Sequence, residues 1–158
     1  MSQFETDKEK ARKGEELVLE VLKRRFPTHS FTLVSTNPCY YDKGDILADG
    51  CFIEVKTDSR FAQTRNILCE DEVYDRRSGI LYKGNMHSQY EYYAVLSEKE
   101  NAIYFFDFSA LKRIYKQGEF KRIEHPTQYT DAFLVPLWMA KREGALLARL
   151  EYGEEEKL

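Results

Sequence analysis

Hydrophobic and polar positions change their period several times along the chain. Residues 5–25 favour helix, and Pro27 closes the segment because the residue before a proline is pushed out of helical dihedrals. Ala11, Val18 and Leu22 fall on one stripe at helical spacing, flanked by Leu19 and Val21. Glu15 falls on that same stripe, whereas Glu16 is rotated by about 100°. A carboxylate on an inward stripe needs a reason. Residues 31–35 form a short β-prone run, followed by a loop over 36–43 that holds Asn37-Pro38 and Tyr40-Tyr41. Residues 45–48 and 51–57 then read as two strands joined by Asp49-Gly50, a dipeptide suited to a type I′ turn because both central residues tolerate positive φ. In the second strand Cys51, Ile53 and Val55 point one way and Phe52, Glu54 and Lys56 the other, so Glu54 and Lys56 project side by side.

Beyond Asp58 the periodicity weakens. Residues 59–64 are mostly polar, 66–74 form a candidate strand, and 76–88 read as irregular. Residues 90–97 and 102–108 make a second hairpin, after which Ser109 is placed to cap a helix running to about Lys116. Residues 132–137 are a candidate last strand, and 137–152 fit either a helix or a strand pair split at Gly144. A helix, several strands and a helix in that order predict an α/β domain with a mixed sheet.

Composition narrows the class. With 158 residues, 42% hydrophobic, 14% aromatic and 32% charged, the chain suits a single domain over 1–158 and excludes a disordered one. No apolar run approaches the roughly 20 residues that span a bilayer. The first residues are polar and charged where a secretory signal would be apolar, so a cytoplasmic protein without a membrane partner is expected. Cys39, Cys51 and Cys69 are odd in number and spaced unlike a zinc knuckle, which favours buried free thiols. His29, His87 and His125 share no metal-ligand spacing. Residues 151–158 hold four glutamates and one lysine, which accounts for the whole formal charge of −3 and predicts a mobile acidic tail. The remaining body is neutral and can still carry basic patches. Lys8/Lys10/Arg12/Lys13, Lys23/Arg24/Arg25, Arg60/Arg65 and Arg76/Arg77 can each meet phosphates or simply face solvent.

One segment carries recognisable chemistry: Gly44-Asp45 followed, across one short turn, by Glu54-Val55-Lys56. Phosphodiester hydrolysis needs a cation to offset charge on the scissile phosphate, a deprotonated water in line, and help for the leaving oxygen. Hard carboxylate oxygens suit Mg²⁺ or Mn²⁺, and Asp45 and Glu54 on neighbouring strands can share one ion with the Val55 carbonyl. Glu15 can complete or position a second site. Lys56 can hold or polarise the attacking water and stabilise the developing negative charge, and nearby carboxylates keep it protonated. The plainer role for Glu54 and Lys56 is an exposed ion pair, which contributes at most about 1 kcal/mol.

Taken together, Glu15, Gly44-Asp45 and Glu54-Val55-Lys56 resemble the PD-(D/E)XK nuclease superfamily. Its members carry an aspartate opening one strand, an acidic residue and a lysine two apart on the paired strand, and often a glutamate from the preceding helix. Those positions match Asp45, Glu54, Lys56 and Glu15, with Gly44 in place of the motif's proline, as in junction-resolvase-like branches. The resemblance implies a restriction-endonuclease-like core, a mixed central β-sheet flanked by helices, and a metal-dependent nuclease using Mg²⁺ or Mn²⁺. DNA, cut internally, is the substrate expected by family analogy. Such domains often pair so that two sites cut two strands, which makes a homodimer an expectation. Nuclease-like folds also serve as non-catalytic nucleic-acid-binding or assembly modules, the alternative from another class.

A second stretch is similar to phage-associated, poorly characterised members. Residues 64–72, then Ser78-Gly79-Ile80 and residues 88–93, partly follow their Thr-Gly-Asn turn, acidic strand, Ser-Gly and Ala-Asp-Tyr order, with Arg65 for the glycine and Gln89-Tyr90-Glu91 near the usual Ala-Asp. Arg65, Asn66, Glu70 and Ser88 are thereby candidates for the site rim or substrate contacts. Otherwise Asn66 is a turn residue and Glu70 a strand-surface charge.

Overall fold

The computed structural model describes residues 3–41 and 43–157. Helix α1 spans Gln3–Arg25 and ends in Lys23, Arg24 and Arg25, cations that complement the negative end of its dipole. Strands β1 (Phe31–Leu33), β2 (Ile46–Ala48) and β3 (Cys51–Thr57) follow as antiparallel neighbours, with Asp49 and Gly50 both at positive φ in the tight turn between β2 and β3. The chain then leaves this sheet for a short helix α2 (Phe61–Thr64) and two strands, β4 (Asn66–Asp75) and β5 (Ile80–Lys83). It returns through β6 (Tyr92–Ser97), which pairs parallel to β3, and β7 (Ala102–Asp107), antiparallel to β6. After helix α3 (Phe108–Ile114) come β8 (Glu119–Glu124), β9 (Gln128–Pro136), helix α4 (Leu137–Arg142) and β10 (Leu146–Glu151).

Two sheets result: a mixed six-stranded one in the order β1-β2-β3-β6-β7-β10 and an antiparallel four-stranded one in the order β5-β4-β9-β8. The architecture is therefore α/β with a mixed sheet, as the element order predicts. Strands β6 and β7 are buried on both faces, which is why they read as continuous apolar runs. Tyr93, Val95, Tyr104 and Phe106 pack with the second sheet and the short helices, while Ala94, Leu96, Ile103 and Phe105 pack with α1. On α1 the buried stripe is Leu17, Val18, Val21 and Leu22; Ala11, read from the periodicity as inward, is exposed.

Several local expectations change. Strands β5 and β8 fall where irregular chain or no element was predicted, because nearly every residue of both is exposed and no buried face imposes a period. The cap of α3 is Asp107, not Ser109: the Asp107 carboxylate accepts from the Ala110 N–H at 3.2 Å and from the Ser109 hydroxyl at 3.0 Å. Residues 137–152 are neither one helix nor a strand pair but α4 and β10, separated at Gly144. The acidic tail, expected to be mobile, is docked through residue 157, and Leu158 lies outside the described residues. Glu156 is buried and its carboxylate lies 3.2 Å from the guanidinium of Arg25, which also donates to the Glu151 carbonyl. Of the three free cysteines only Cys69 is buried; Cys39 is exposed and Cys51 half-buried. Among the described residues, no helix is long and apolar enough to cross a membrane.

Candidate active site

The hairpin of β2 and β3 sets the position of Asp45. Its N–H donates to the Ile53 carbonyl at 2.9 Å and its carbonyl accepts from Val34 at 2.8 Å, so the backbone is held from both sides just before β2. Gly44, immediately before it, has φ +144°, and a Cβ there would meet the Phe52 Cβ at 3.0 Å and the Ile53 carbonyl oxygen at 3.3 Å. That geometry accounts for glycine at this position. The Asp45 side chain then turns across to β3, where its Oδ2 accepts the Val55 N–H at 2.8 Å. In an extended strand the N–H and C=O of one residue point to the same side, so the Val55 carbonyl also faces the Asp45 edge.

Glu54 and Lys56 flank Val55 on the opposite face from Ile53 and Val55, as the alternation predicts. On the other face of β3, that of Ile53, Val55 and Thr57, stands α1, pressed against the strand through Gly14. A Cβ at Gly14 would lie 2.1 Å from the Thr57 Oγ1, so only glycine permits this approach. Glu15 follows Gly14 directly in the chain. Glu15, Asp45, Glu54 and Lys56 thereby line a single cleft of about 450 Å³, together with Lys10 and Ala11 of α1. Glu15, read as an inward residue of the helix stripe, is inward only in that it faces this cleft.

The charged groups in the cleft act strongly on one another. Burial, a hydrogen bond to Asp45 and that group's negative charge all push the Glu54 carboxyl far above the usual carboxylate range. Burial likewise raises Glu15, partly offset by a hydrogen bond with Ser35 and reinforced by Asp45. Burial pulls the Lys56 ammonium down, but Glu70, Glu54, Asp45 and Glu15 together raise it above its ordinary value, so it stays charged. Glu70 reaches in from β4 to 3.8 Å of the Lys56 Nζ, while 42% of the Lys56 side chain still meets water at the cleft mouth.

The other sequence candidates scatter. Glu70 joins the cluster through Lys56. Arg65 does not: its guanidinium donates to Glu100 at 2.7 Å and to the Tyr104 hydroxyl at 2.8 Å, and it closes α2 in a left-handed conformation. Asn66 opens β4 in a small surface recess, separate from the cleft. Ser88 lies in another depression, where its carbonyl accepts from Lys112 at 3.1 Å. Tyr40 packs on the Phe52 ring at 5.7 Å, and Tyr41 is exposed. Sequence reasoning missed Ser35, which holds Glu15, and Lys10 on the cleft wall; Lys10 was visible only as part of a basic cluster.

Among the described residues, no three His, Cys, Asp or Glu side chains group closely enough to hold an ion by themselves. The carboxylates that press on one another most strongly are the pair Asp45 and Glu54, while Glu15 is hydrogen-bonded to Ser35. No family model, curated protein or solved structure matches the chain, so the chemistry of the cleft itself carries the functional reading.

Proposed function

We propose that the cleft hydrolyses phosphodiester bonds with a divalent cation and that the protein is an endodeoxyribonuclease with a restriction-endonuclease-like core. The observation that carries this reading is the meeting, in one open cleft, of a hydrogen-bonded Asp45–Glu54 pair beside a charged Lys56. Two carboxylates this close are costly to ionise together, and a cation relieves the repulsion. Mg²⁺ takes one or two protein carboxylates and fills its remaining positions with water and substrate phosphate, so a carboxylate pair fits it without a third ligand. Asp45 and Glu54 would hold Mg²⁺ or Mn²⁺, with the Val55 carbonyl as a further oxygen donor on the same edge. Such an ion supplies Lewis acidity toward the scissile phosphate and acidifies a bound water.

The chain's own groups do the rest. Lys56 puts a positive charge beside the carboxylates, where the phosphate oxygens gather negative charge in the transition state, and its Nζ can donate to the attacking water. Glu15 faces the cleft from α1 with a raised affinity for protons, which suits its carboxylate to accept one from a water on that side.

Cleavage of supercoiled, linear, single-stranded and branched DNA with Mg²⁺ or Mn²⁺ tests the reading. Wild type should cut, and Lys56→Ala and Glu54→Ala should each lose at least about 100-fold. Unchanged activity in both variants overturns the assignment. A non-catalytic module on the same scaffold would give no cutting, and calorimetry with Mn²⁺ would then find no uptake that Asp45→Ala abolishes.

A further inference from the structure

Beside the catalytic cleft, on the other side of Thr57 and Asp58, the outer face of β4 carries a recess of about 130 Å³. Its lining includes two cations from distant parts of the chain, Arg60 after β3 and Lys121 on β8, together with Thr64, Asn66 and the aliphatic side chains of Leu68, Ile123 and Leu134. Nearby Arg65 and Arg122 are committed to Glu100 and Asp131. Arg60 and Lys121, by contrast, form no ion pair among the described residues. In a body whose formal charges cancel, two unpaired cations converging on one hollow are a specific arrangement. Thr64 adds a donor: its Oγ1 accepts the Asn66 N–H at 3.2 Å and so keeps its own proton to offer outward. The one carboxylate in the recess, Asp58, is partly occupied by the Arg60 N–H at 2.9 Å.

Size and position say what such a recess takes. It is far smaller than the several hundred Å³ that enclose a small-molecule ligand, so it suits one group of a larger molecule. A single strand also links it to the site: Asn66, Leu68 and Glu70 alternate along one face of β4 while Ile67 and Cys69 enter the core, and Glu70 is the residue that meets Lys56.

We propose that this recess is a phosphate subsite for the substrate strand, with Arg60 and Lys121 as its cationic ligands, displaced from the scissile phosphate along β4. The assignment rests on the nuclease reading above and extends it to residues outside the catalytic cluster. Arg60 and Lys121 position the strand through its backbone and read no base, so they contribute affinity and register and leave sequence preference unchanged.

Binding of a fluorescein-labelled 20-bp duplex and of its single strand, measured in Ca²⁺ by anisotropy over a range of salt, tests this beside the cleavage assay. Arg60→Ala and Lys121→Ala should each weaken duplex binding by about 3- to 10-fold, and the double variant should flatten the salt dependence by about two phosphate contacts. KM should rise with little change in kcat. Arg60→Lys and Lys121→Arg should restore most of the loss, and Lys99→Ala, an exposed lysine on the β6–β7 turn, should change nothing. A wild type that binds and cuts while the double variant keeps its affinity and salt slope overturns the subsite alone. A wild type that binds without cutting, and loses binding in the double variant, supports the subsite and removes catalysis. A wild type that neither binds nor cuts overturns both.

Discussion

Burial and the Asp45 carboxylate act on Glu54 in the same direction, so the folded protein holds a proton there that the unfolded chain releases. As pH rises above the ordinary carboxylate range, the folded state is the one binding more protons, and stability falls until Glu54 ionises. Glu54→Gln keeps a hydrogen-bonding partner for Asp45 and removes the titration. Its melting temperature should exceed that of wild type by the equivalent of about 1–2 kcal/mol at neutral pH, with the gap widening from about pH 5 to about pH 8 in metal-free buffer. A gap that narrows over this range would contradict the shared-proton account. The alternation of residues 51–57 was enough to put Glu54 and Lys56 on one face. It could not announce Ser35, whose partner in the cleft lies on another element, and Glu70 is singled out in the sequence only by the resemblance of residues 64–72.

Between elements, the spacing of the cleft depends on how closely α1 rests on β3, and Gly14 sets that spacing. Ala is the better helix former by about 1 kcal/mol, yet Gly14→Ala drives a methyl into the Thr57 hydroxyl. The expected net effect is a loss of about 1–3 kcal/mol together with reduced cleavage, since Glu15 moves with the helix. Thr57→Ala removes the atom that the methyl meets, so in Gly14→Ala it should recover most of the stability. Additive losses in that cycle, measured by denaturant unfolding, would show that the contact does not set the approach. In the sequence Gly14 is an isolated glycine in a helical pattern, a weakness by propensity alone, and nothing local identifies the neighbour that requires it.

At the scale of the whole molecule, Tyr93 ties the two sheets together. It sits on β6 opposite Glu54 of β3, is almost completely buried, and its hydroxyl donates to the Leu68 carbonyl of β4 at 3.1 Å. Tyr93→Phe keeps the packing but leaves that carbonyl without its partner, a cost of about 1–3 kcal/mol, or roughly 2–4 °C in melting temperature for each kcal/mol. Because β4 carries Glu70 and the recess, the variant should also weaken DNA binding more than it lowers stability accounts for; hydrogen exchange localised to residues 66–70 would report the loosened strand. The docked tail also depends on a long-range contact. Arg25 and Glu156 meet from positions 131 apart in sequence, a contact that no reading of an acidic terminus could supply.

Features that depend on neighbours along the chain are legible without the fold. The helix closed by Pro27, the Asp49-Gly50 turn, the alternating Glu54-Val55-Lys56 strand and the apolar runs of β6 and β7 follow from backbone sterics and periodicity, and the structure has them all. Tertiary structure alone decided the features that depend on distant partners. Strands β5 and β8 exist because β4 and β9 pair with them, not because their own residues demand a buried face. Arg65 is drawn away to Glu100 and Tyr104, while Arg60 and Lys121 are left facing the same hollow. Local propensity is a matter of a fraction of a kcal/mol per residue, whereas burial and long-range pairing set which charges are neutralised and which remain free.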